Sequence, residues 1–157
     1  MCIVIDTNTL SCVFDNNCSE HSEFKPVNNW IFNDKGLVVY GGSKYKKELR
    51  KANKYYSIFI ELKKINKIAE IKDSYVDKRQ RQLESLVKSK KFNDSHILAI
   101  VIESNCRLIC TLDKKSHNFL RDIRLYPKGM KLAKIYSNRN CKKLLCSENI
   151  VKLKNVV

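Results

Sequence analysis

Glycine and proline are scarce in this chain, which has four and two of them among 157 residues. No Gly- or Pro-rich linker is present, so we expect one domain over residues 1–157 whose helices and strands join through short polar turns. No apolar run reaches the length of a membrane span, and the first residues lack a basic stretch followed by an apolar run and a cleavage site. These absences predict a soluble, cytoplasmic protein that does not associate with membranes.

Two kinds of cofactor motif are also missing. No Gly-x-Gly-x-x-Gly or Gly-x-x-x-x-Gly-Lys-Ser/Thr pattern occurs, which disfavours dinucleotide and P-loop nucleotide sites. The seven cysteines are odd in number and include no Cys-x-x-Cys pair, so a disulfide framework is not indicated. Cys12, Cys18 and His21 could supply three zinc ligands, but zinc pairs are usually spaced more tightly. Reduced and mostly buried thiols are the favoured interpretation.

Positive charge is abundant and unevenly distributed. The chain has 31 Lys+Arg against 16 Asp+Glu, a formal net charge of +15. Residues 1–40 hold two cations and five acids, whereas residues 41–91 hold sixteen cations and six acids, and residues 92–157 hold thirteen and five. A surplus of this size favours a polyanionic partner, nucleic acid first. Genomic base bias is the alternative, because Lys outnumbers Arg 24 to 7.

Short apolar runs alternate with longer segments of helical periodicity. Four runs predict buried strands, at Cys2–Ile5, Leu37–Tyr40, Leu108–Leu112 and Ala133–Tyr136. Helices are predicted from Ser43 (as a Ser cap) to about Tyr56, along one face running from Ile58 to Ile71, from Tyr75 to Lys90, and from an Asn93 or Asp94 cap to Ser104-Asn105. Residues Ile150–Leu153 permit one more short strand. This alternation predicts an α/β fold, a three-layer α/β/α sandwich with a central, mainly parallel sheet.

Four acids are expected at one edge of that sheet. Asp6 and Asp113 directly follow predicted strands, Asp94 begins the helix before the second of these strands, and Glu48 lies in the first basic helix. In such sheets, functional groups gather where the strands end and the next helices begin. Carboxylates brought together repel one another unless a cation lies between them, and hard oxygen ligands suit Mg²⁺ or Mn²⁺.

Each acid also has a purely structural interpretation. Asp94 is in a position typical of a helix N-cap, and Asp6 and Asp113 are in positions typical of turns that end strands. Glu48 could pair with a lysine on its own helix, at Lys44 or Lys51. Convergence of all four on one edge is what favours a metal site.

The same residues resemble a known family. The pattern Ile-Val-Ile-Asp6-Thr7-Asn8, a Glu in the first basic helix, Asp94-Ser95-His96-Ile97-Leu98-Ala99 and Leu108-Ile109-Cys110-Thr111-Leu112-Asp113 resembles a PIN-domain nuclease along nearly the whole chain. The resemblance implies a metal-dependent endonuclease that acts on RNA, or less often on DNA. Many members are toxins of toxin–antitoxin pairs or take part in antiviral defence, and many form homodimers.

The resulting hypothesis assigns roles to individual residues. Asp6, Glu48, Asp94 and Asp113 would hold one or two Mg²⁺ or Mn²⁺ ions that activate water, with Asp6 and Asp94 as the direct ligands. Asn8 and Thr111 would orient the carboxylates or bound waters from a second layer. In the same layer His96 would contact a phosphate or a carboxylate, and a capped, partly buried histidine is the alternative interpretation. The nucleic-acid backbone would be contacted by basic side chains near the site: Lys44, Lys47, Arg50, Lys51, Lys114 and Lys115.

Two other functions remain open at this point. The basic segment from Ser43 to Lys91 could form a binding module without catalysis, gripping a nucleic-acid backbone and stacking bases on interleaved aromatic residues. These aromatics are Tyr45, Tyr55, Tyr56, Tyr75 and Phe92. Alternatively, the chain is a DNA-cleaving nuclease subunit of a defence complex. The basic surplus could also be a docking face for an acidic antitoxin or a larger complex, which is compatible with nuclease activity.

Overall fold

The computed structural model describes residues 2–89, 92–146 and 152–157. Within these ranges, five strands form one entirely parallel sheet. The strands are β1 (Cys2–Ile5), β2 (Leu37–Gly41), β3 (Ile68–Ile71), β4 (Leu108–Cys110) and β5 (Lys134–Tyr136), and their order in the sheet is β3-β2-β1-β4-β5. The predicted α/β/α sandwich is confirmed.

Seven α-helices connect these strands in the described residues. They are α1 (Leu10–Phe14), α2 (His21–Asn33), α3 (Ser43–Lys51), α4 (Asn53–Lys64), α5 (Asp73–Leu86), α6 (Ser95–Ser104) and α7 (His117–Leu120). Short 3-10 helices occur at Thr7–Thr9, Ile123–Leu125 and Arg139–Leu144. None of the helices in the described ranges is long and apolar enough to cross a membrane.

The helices form two layers because the chain crosses the sheet in both directions. The α1–α2 connection moves from β1 to its neighbour β2, whereas α5 and α6 carry the chain back across the sheet from β3 to β4. Right-handed crossovers in opposite directions lie on opposite faces. Helix α6 packs on β1, β2 and β3 and is covered by α5, which is why residues Ile97–Ile102 are all buried.

One strand was assigned wrongly from the sequence. The apolar positions from Ile58 to Ile71 predicted a single helix face, but α4 ends at Lys64 and β3 begins at Ile68. Asn66 takes a left-handed conformation (φ 54°) that ends the helix. The spacing of Ile68 and Ile71 fits both a helix and a four-residue edge strand, so periodicity does not separate the two.

Several helix limits also differ from the predictions. The expected helix from Ser43 to Tyr56 is broken at Ala52 into α3 and α4, and Gly42 rather than Ser43 is the N-cap of α3. Helix α5 spans 73–86 instead of 75–90. Helix α2, which contains Pro26, was not predicted. Two residues of the possible last strand, Ile150 and Val151, lie outside the described residues. Further on, Val156 pairs antiparallel with Ile71.

Gly42 is required where β2 turns into α3. Its φ is +82°, and a Cβ placed there would lie 2.5 Å from Cγ1 of Val76, a fully buried residue of α5. We expect Gly42→Ala to lower the free energy of unfolding by about 1–3 kcal/mol more than Gly129→Ala. Gly129 has nearly the same φ (+83°), and a Cβ at that position would meet no atom within 4 Å. Urea denaturation of both variants measures the difference, and equal losses would contradict the steric explanation.

Candidate functional site

The sheet has one topological switch point, between β1 and β4. The chain leaves β1 toward β2 and leaves β4 toward β5, so the connections after these two neighbouring strands diverge. Crevices of this kind, outside the carboxyl ends of the strands, are where open parallel sheets bind ligands. Asp6 directly follows β1, and Thr111 and Asp113 follow β4. The amide of Asp6 donates to the carbonyl of Cys110 at 2.9 Å, which ties the two strand ends together.

Asp6 lies at the centre of this crevice and is 1% exposed. Its Oδ2 accepts a hydrogen bond from Oγ1 of Thr111 at 2.9 Å, and its Oδ1 accepts from the amide of Asn8 at 3.3 Å. The hydroxyl of Thr111 thereby fixes the direction of the Asp6 carboxylate across the two strands. Asn8 contacts Asp6 through its main-chain amide, and Asn8 itself is exposed to solvent.

Asp94 brings a second buried negative charge to the same place. It occupies the N-cap position of α6 and is 8% exposed, yet within the described part of the chain its side chain makes no capping hydrogen bond. Burial raises the pKa of Asp6, and the charge of Asp94 raises it further, whereas the hydrogen bond from Thr111 lowers it. The two carboxylates therefore repel each other inside a crevice that shields them from water.

Glu48 reaches the crevice from α3, where the described residues place it against Thr7 and His96 rather than in an ion pair with a lysine of its own helix. Its Oε2 accepts a hydrogen bond from Oγ1 of Thr7 at 2.7 Å and lies 3.2 Å from Nε2 of His96. Burial raises the pKa of Glu48, but the close approach and charge of His96, together with the hydrogen bond from Thr7 and the charge of Lys44, outweigh it and lower the pKa to about 2. Glu48 therefore stays ionised at neutral pH.

His96 joins Glu48 to the first turn of α6. Its side chain is 2% exposed, and neither ring nitrogen has a well-directed hydrogen-bond partner among the described residues. The approach of Nε2 to Glu48 is close but poorly aligned for a hydrogen bond. A buried imidazole with unused hydrogen-bonding capacity is uncommon in folded proteins, and it adds a polar group to the wall of the crevice.

The contacts that position Asp113 lie within its own loop. Its Oδ1 accepts from the amide of Lys115 at 2.9 Å, which is a turn of the type expected for Asp after a strand. Its amide donates to Oγ1 of Thr111 at 3.1 Å. Thr111 thus contacts both Asp6 and Asp113, and Asp113 is only partly buried.

The predicted basic residues lie on the outside of this region. Nζ of Lys44 donates to the carbonyl of Asn93, next to Asp94. The others are exposed residues on α3 or directly after Asp113: Lys47, Arg50, Lys51, Lys114 and Lys115.

Two of the predicted carboxylate ligands in the crevice suit a hard divalent cation. Among the described residues, no group of three or more His, Cys, Asp or Glu side chains is close enough to hold a metal ion. The fit depends on Asp6 and Asp94, two buried carboxylates whose repulsion a cation would offset. Mg²⁺ is commonly bound by one or two carboxylates with several retained waters.

The residues considered for zinc have other contacts. The Sγ atoms of Cys12 and Cys18 lie 3.3 Å apart and remain thiols. Nδ1 of His21 lies 2.9 Å from the carbonyl oxygen of Cys12, within hydrogen-bonding distance of the main chain.

Two residues of the site were missed from the sequence. Thr7 binds Glu48, and its place directly after Asp6 was the available signal. Tyr45 was treated as one of several aromatic residues, but its hydroxyl donates to the carbonyl of Ile5 at 2.7 Å, at the end of β1. No sequence pattern indicates that contact.

The chain matches no protein-family model, no curated protein and no solved structure at a significant level.

Proposed function

We propose that this protein is a metal-dependent phosphodiesterase that cleaves RNA internally. The observation that carries the proposal is the pair of buried carboxylates, Asp6 and Asp94, at the switch point of a parallel sheet. Burying two like charges together is costly, and a folded protein keeps such a pair where its charge is used. The resemblance of the Asp6, Asp94 and Asp113 motifs to PIN-domain nucleases supports the same reaction class.

The four carboxylates have two different roles toward the metal ion in this proposal. Asp6 and Asp94 would bind one or two Mg²⁺ or Mn²⁺ ions directly, and Asp113 and Glu48 would contact the hydrated ion through water. When bound, such an ion supplies Lewis acidity for activating water and for offsetting charge at the phosphate. Thr111 keeps the Asp6 carboxylate pointed into the crevice, and Thr7 and His96 hold Glu48 at its wall.

Basic residues around the crevice would hold the substrate. Lys114 and Lys115 follow Asp113 directly, and Lys47 and Lys51 are exposed on α3. Contacts of this kind with phosphates release counterions, so affinity should fall steeply with salt. The proposal includes a cytoplasmic location, and homodimerisation or docking of an acidic antitoxin or defence-complex protein on the basic surface.

A cleavage assay tests the proposal. Purified protein is incubated with end-labelled single-stranded RNA, and with DNA of the same sequence, in Mn²⁺ or Mg²⁺ and in EDTA. We expect internal cleavage of RNA that requires the ion and is lost in a double variant, Asp6→Asn with Asp94→Asn. Asp34→Asn is the matched control, because Asp34 is exposed and its carboxylate contacts the amide of Lys35.

The other outcomes would contradict the mechanism or favour one of the alternative functions. Cleavage that survives EDTA or the double variant would contradict the mechanism. Cleavage of DNA alone would favour the DNA-cleaving alternative. Salt-sensitive RNA binding without cleavage, unchanged by EDTA and by the double variant, would favour the non-catalytic binding module.

A further inference from the structure

Helix α3 separates the carboxylates from a second concave site. The helix carries Glu48 toward Thr7 and His96, and it carries Lys46 and Arg50 toward a pocket of about 290 Å³. Helix α4 forms the opposite wall, and Tyr40 of β2 and Glu70 of β3 form the base. Both residues lie next to the last residue of their strand, so the base of the pocket lies toward the same edge of the sheet as the carboxylates.

An exposed apolar ledge lines the α4 wall of this pocket. Tyr56 and Ile60 lie one helical turn apart, and each is 44% exposed. Beneath them, Phe59 is buried and meets Tyr40 edge to face, with ring centroids 5.4 Å apart. The ledge therefore rests on a packed aromatic base while the Tyr56 side chain remains open to solvent.

Exposure within this pocket distinguishes Tyr56 from the other aromatic residues of the basic segment, of which Tyr55 is partly buried and does not line the pocket. Tyr45 is 0% exposed and Phe92 is 6% exposed, so both belong to the core. Tyr75 is 46% exposed but does not line this pocket. A larger groove of about 630 Å³ beside α2 includes Trp30, but that indole is only 5% exposed and has little surface for stacking.

The charge of the pocket favours an anionic occupant. Glu70 already has partners, since its Oε1 lies 2.6 Å from Nζ of Lys46, which also contacts Asp73 at 2.8 Å, and its Oε2 accepts from the Tyr40 hydroxyl at 2.8 Å. Arg50 and Lys63 are exposed at the rim, and Lys63 keeps only a long contact of 3.8 Å with Glu70. Proteins that bind single-stranded nucleic acids combine aromatic faces, on which bases stack, with cations that contact the phosphates. Tyr56 and the two rim cations provide this combination.

We propose that this pocket is a nucleotide subsite, in which a base of single-stranded RNA stacks on Tyr56 and the flanking phosphates contact Arg50 and Lys63. The inference rests on the proposed function for the identity of the ligand. A strand crossing α3 would reach both the carboxylates and this pocket, so the subsite would hold a nucleotide outside the scissile linkage.

The test measures binding without cleavage. The affinity of 3′-fluorescein-labelled octaadenylate is measured by fluorescence anisotropy in EDTA for the wild type and three variants. We expect Tyr56→Ala to weaken binding roughly 5- to 150-fold, the range that loss of one stacked base gives. Tyr56→Phe keeps the ring and should bind as the wild type does. Tyr75→Ala removes an equally exposed tyrosine elsewhere and should also bind normally.

Salt dependence gives a second measurement that does not depend on the tyrosine. Arg50→Gln should reduce the slope of log affinity against log salt by about 0.7, the value for one phosphate contact on a single strand. Wild-type affinity in Tyr56→Ala, an equal loss in Tyr75→Ala, or an unchanged slope in Arg50→Gln would overturn the subsite. If Tyr56-dependent binding is found in a protein that cleaves nothing, the nuclease proposal fails and the subsite stands.

Discussion

Replacing Asp94 with asparagine is expected to abolish RNA cleavage and, at the same time, to make the protein more stable. Asp94 is 8% exposed, forms no capping hydrogen bond among the described residues, and opposes the buried charge of Asp6. Asparagine has nearly the same shape and no charge, so the repulsion is removed without leaving a cavity. We expect a gain of about 0.5–2 kcal/mol in the free energy of unfolding, and a loss of at least about a hundredfold in cleavage rate.

In the presence of divalent ions, the wild type should become more stable than Asp94→Asn, the reverse of the order expected in EDTA. An ion that binds only the folded protein stabilises it in proportion to the logarithm of its concentration over Kd. Addition of Mn²⁺ should therefore raise the Tm of the wild type and leave that of Asp94→Asn nearly unchanged. Thermal unfolding in EDTA and in Mn²⁺ measures both effects, with Asp34→Asn as the control. A lower Tm for Asp94→Asn in EDTA would show that Asp94 has a structural role.

The parts of the fold that the sequence predicted are those with an unambiguous local signal. The runs at β1 and β4 are apolar at every position because both faces of the strands are buried. Asp6 and Asp113 could be assigned to the sheet edge because each closely follows such a run. Strand β3 could not be recognised, because Ile68 and Ile71 also continue the spacing of the preceding helix.

The missed parts of the site depend on contacts between distant elements. Thr7 and Glu48 are 41 residues apart in the chain, and their hydrogen bond exists because α3 packs against both the turn after β1 and α6. The sequence indicated an acid among cations on α3 but not the direction of its side chain. The same holds for Tyr56, whose exposure depends on how α4 packs beside α3.

Among the residues that support the site, we expect substitution of Tyr45 to cause the largest loss in the free energy of unfolding. It is completely buried, its hydroxyl donates to the carbonyl of Ile5 at 2.7 Å, and its ring lies 6.2–6.4 Å from those of Tyr40, Phe59 and His96. We expect Tyr45→Ala to lower the free energy of unfolding by about 3–5 kcal/mol, the usual cost of removing a buried aromatic ring. That loss is a large part of the stability of a typical domain.

Tyr45→Phe separates the hydroxyl from the ring. Phenylalanine keeps the packing and leaves the Ile5 carbonyl without this donor, so a smaller loss of about 1–3 kcal/mol is expected. Urea denaturation with unchanged m values measures both variants, and Tyr75→Ala should remain within about 0.5 kcal/mol of the wild type because its side chain is exposed. Ile5 directly precedes Asp6, and α3 carries both Tyr45 and Glu48. A Tyr45→Ala protein as stable as the wild type would therefore show that α3 is held over the end of β1 by other contacts.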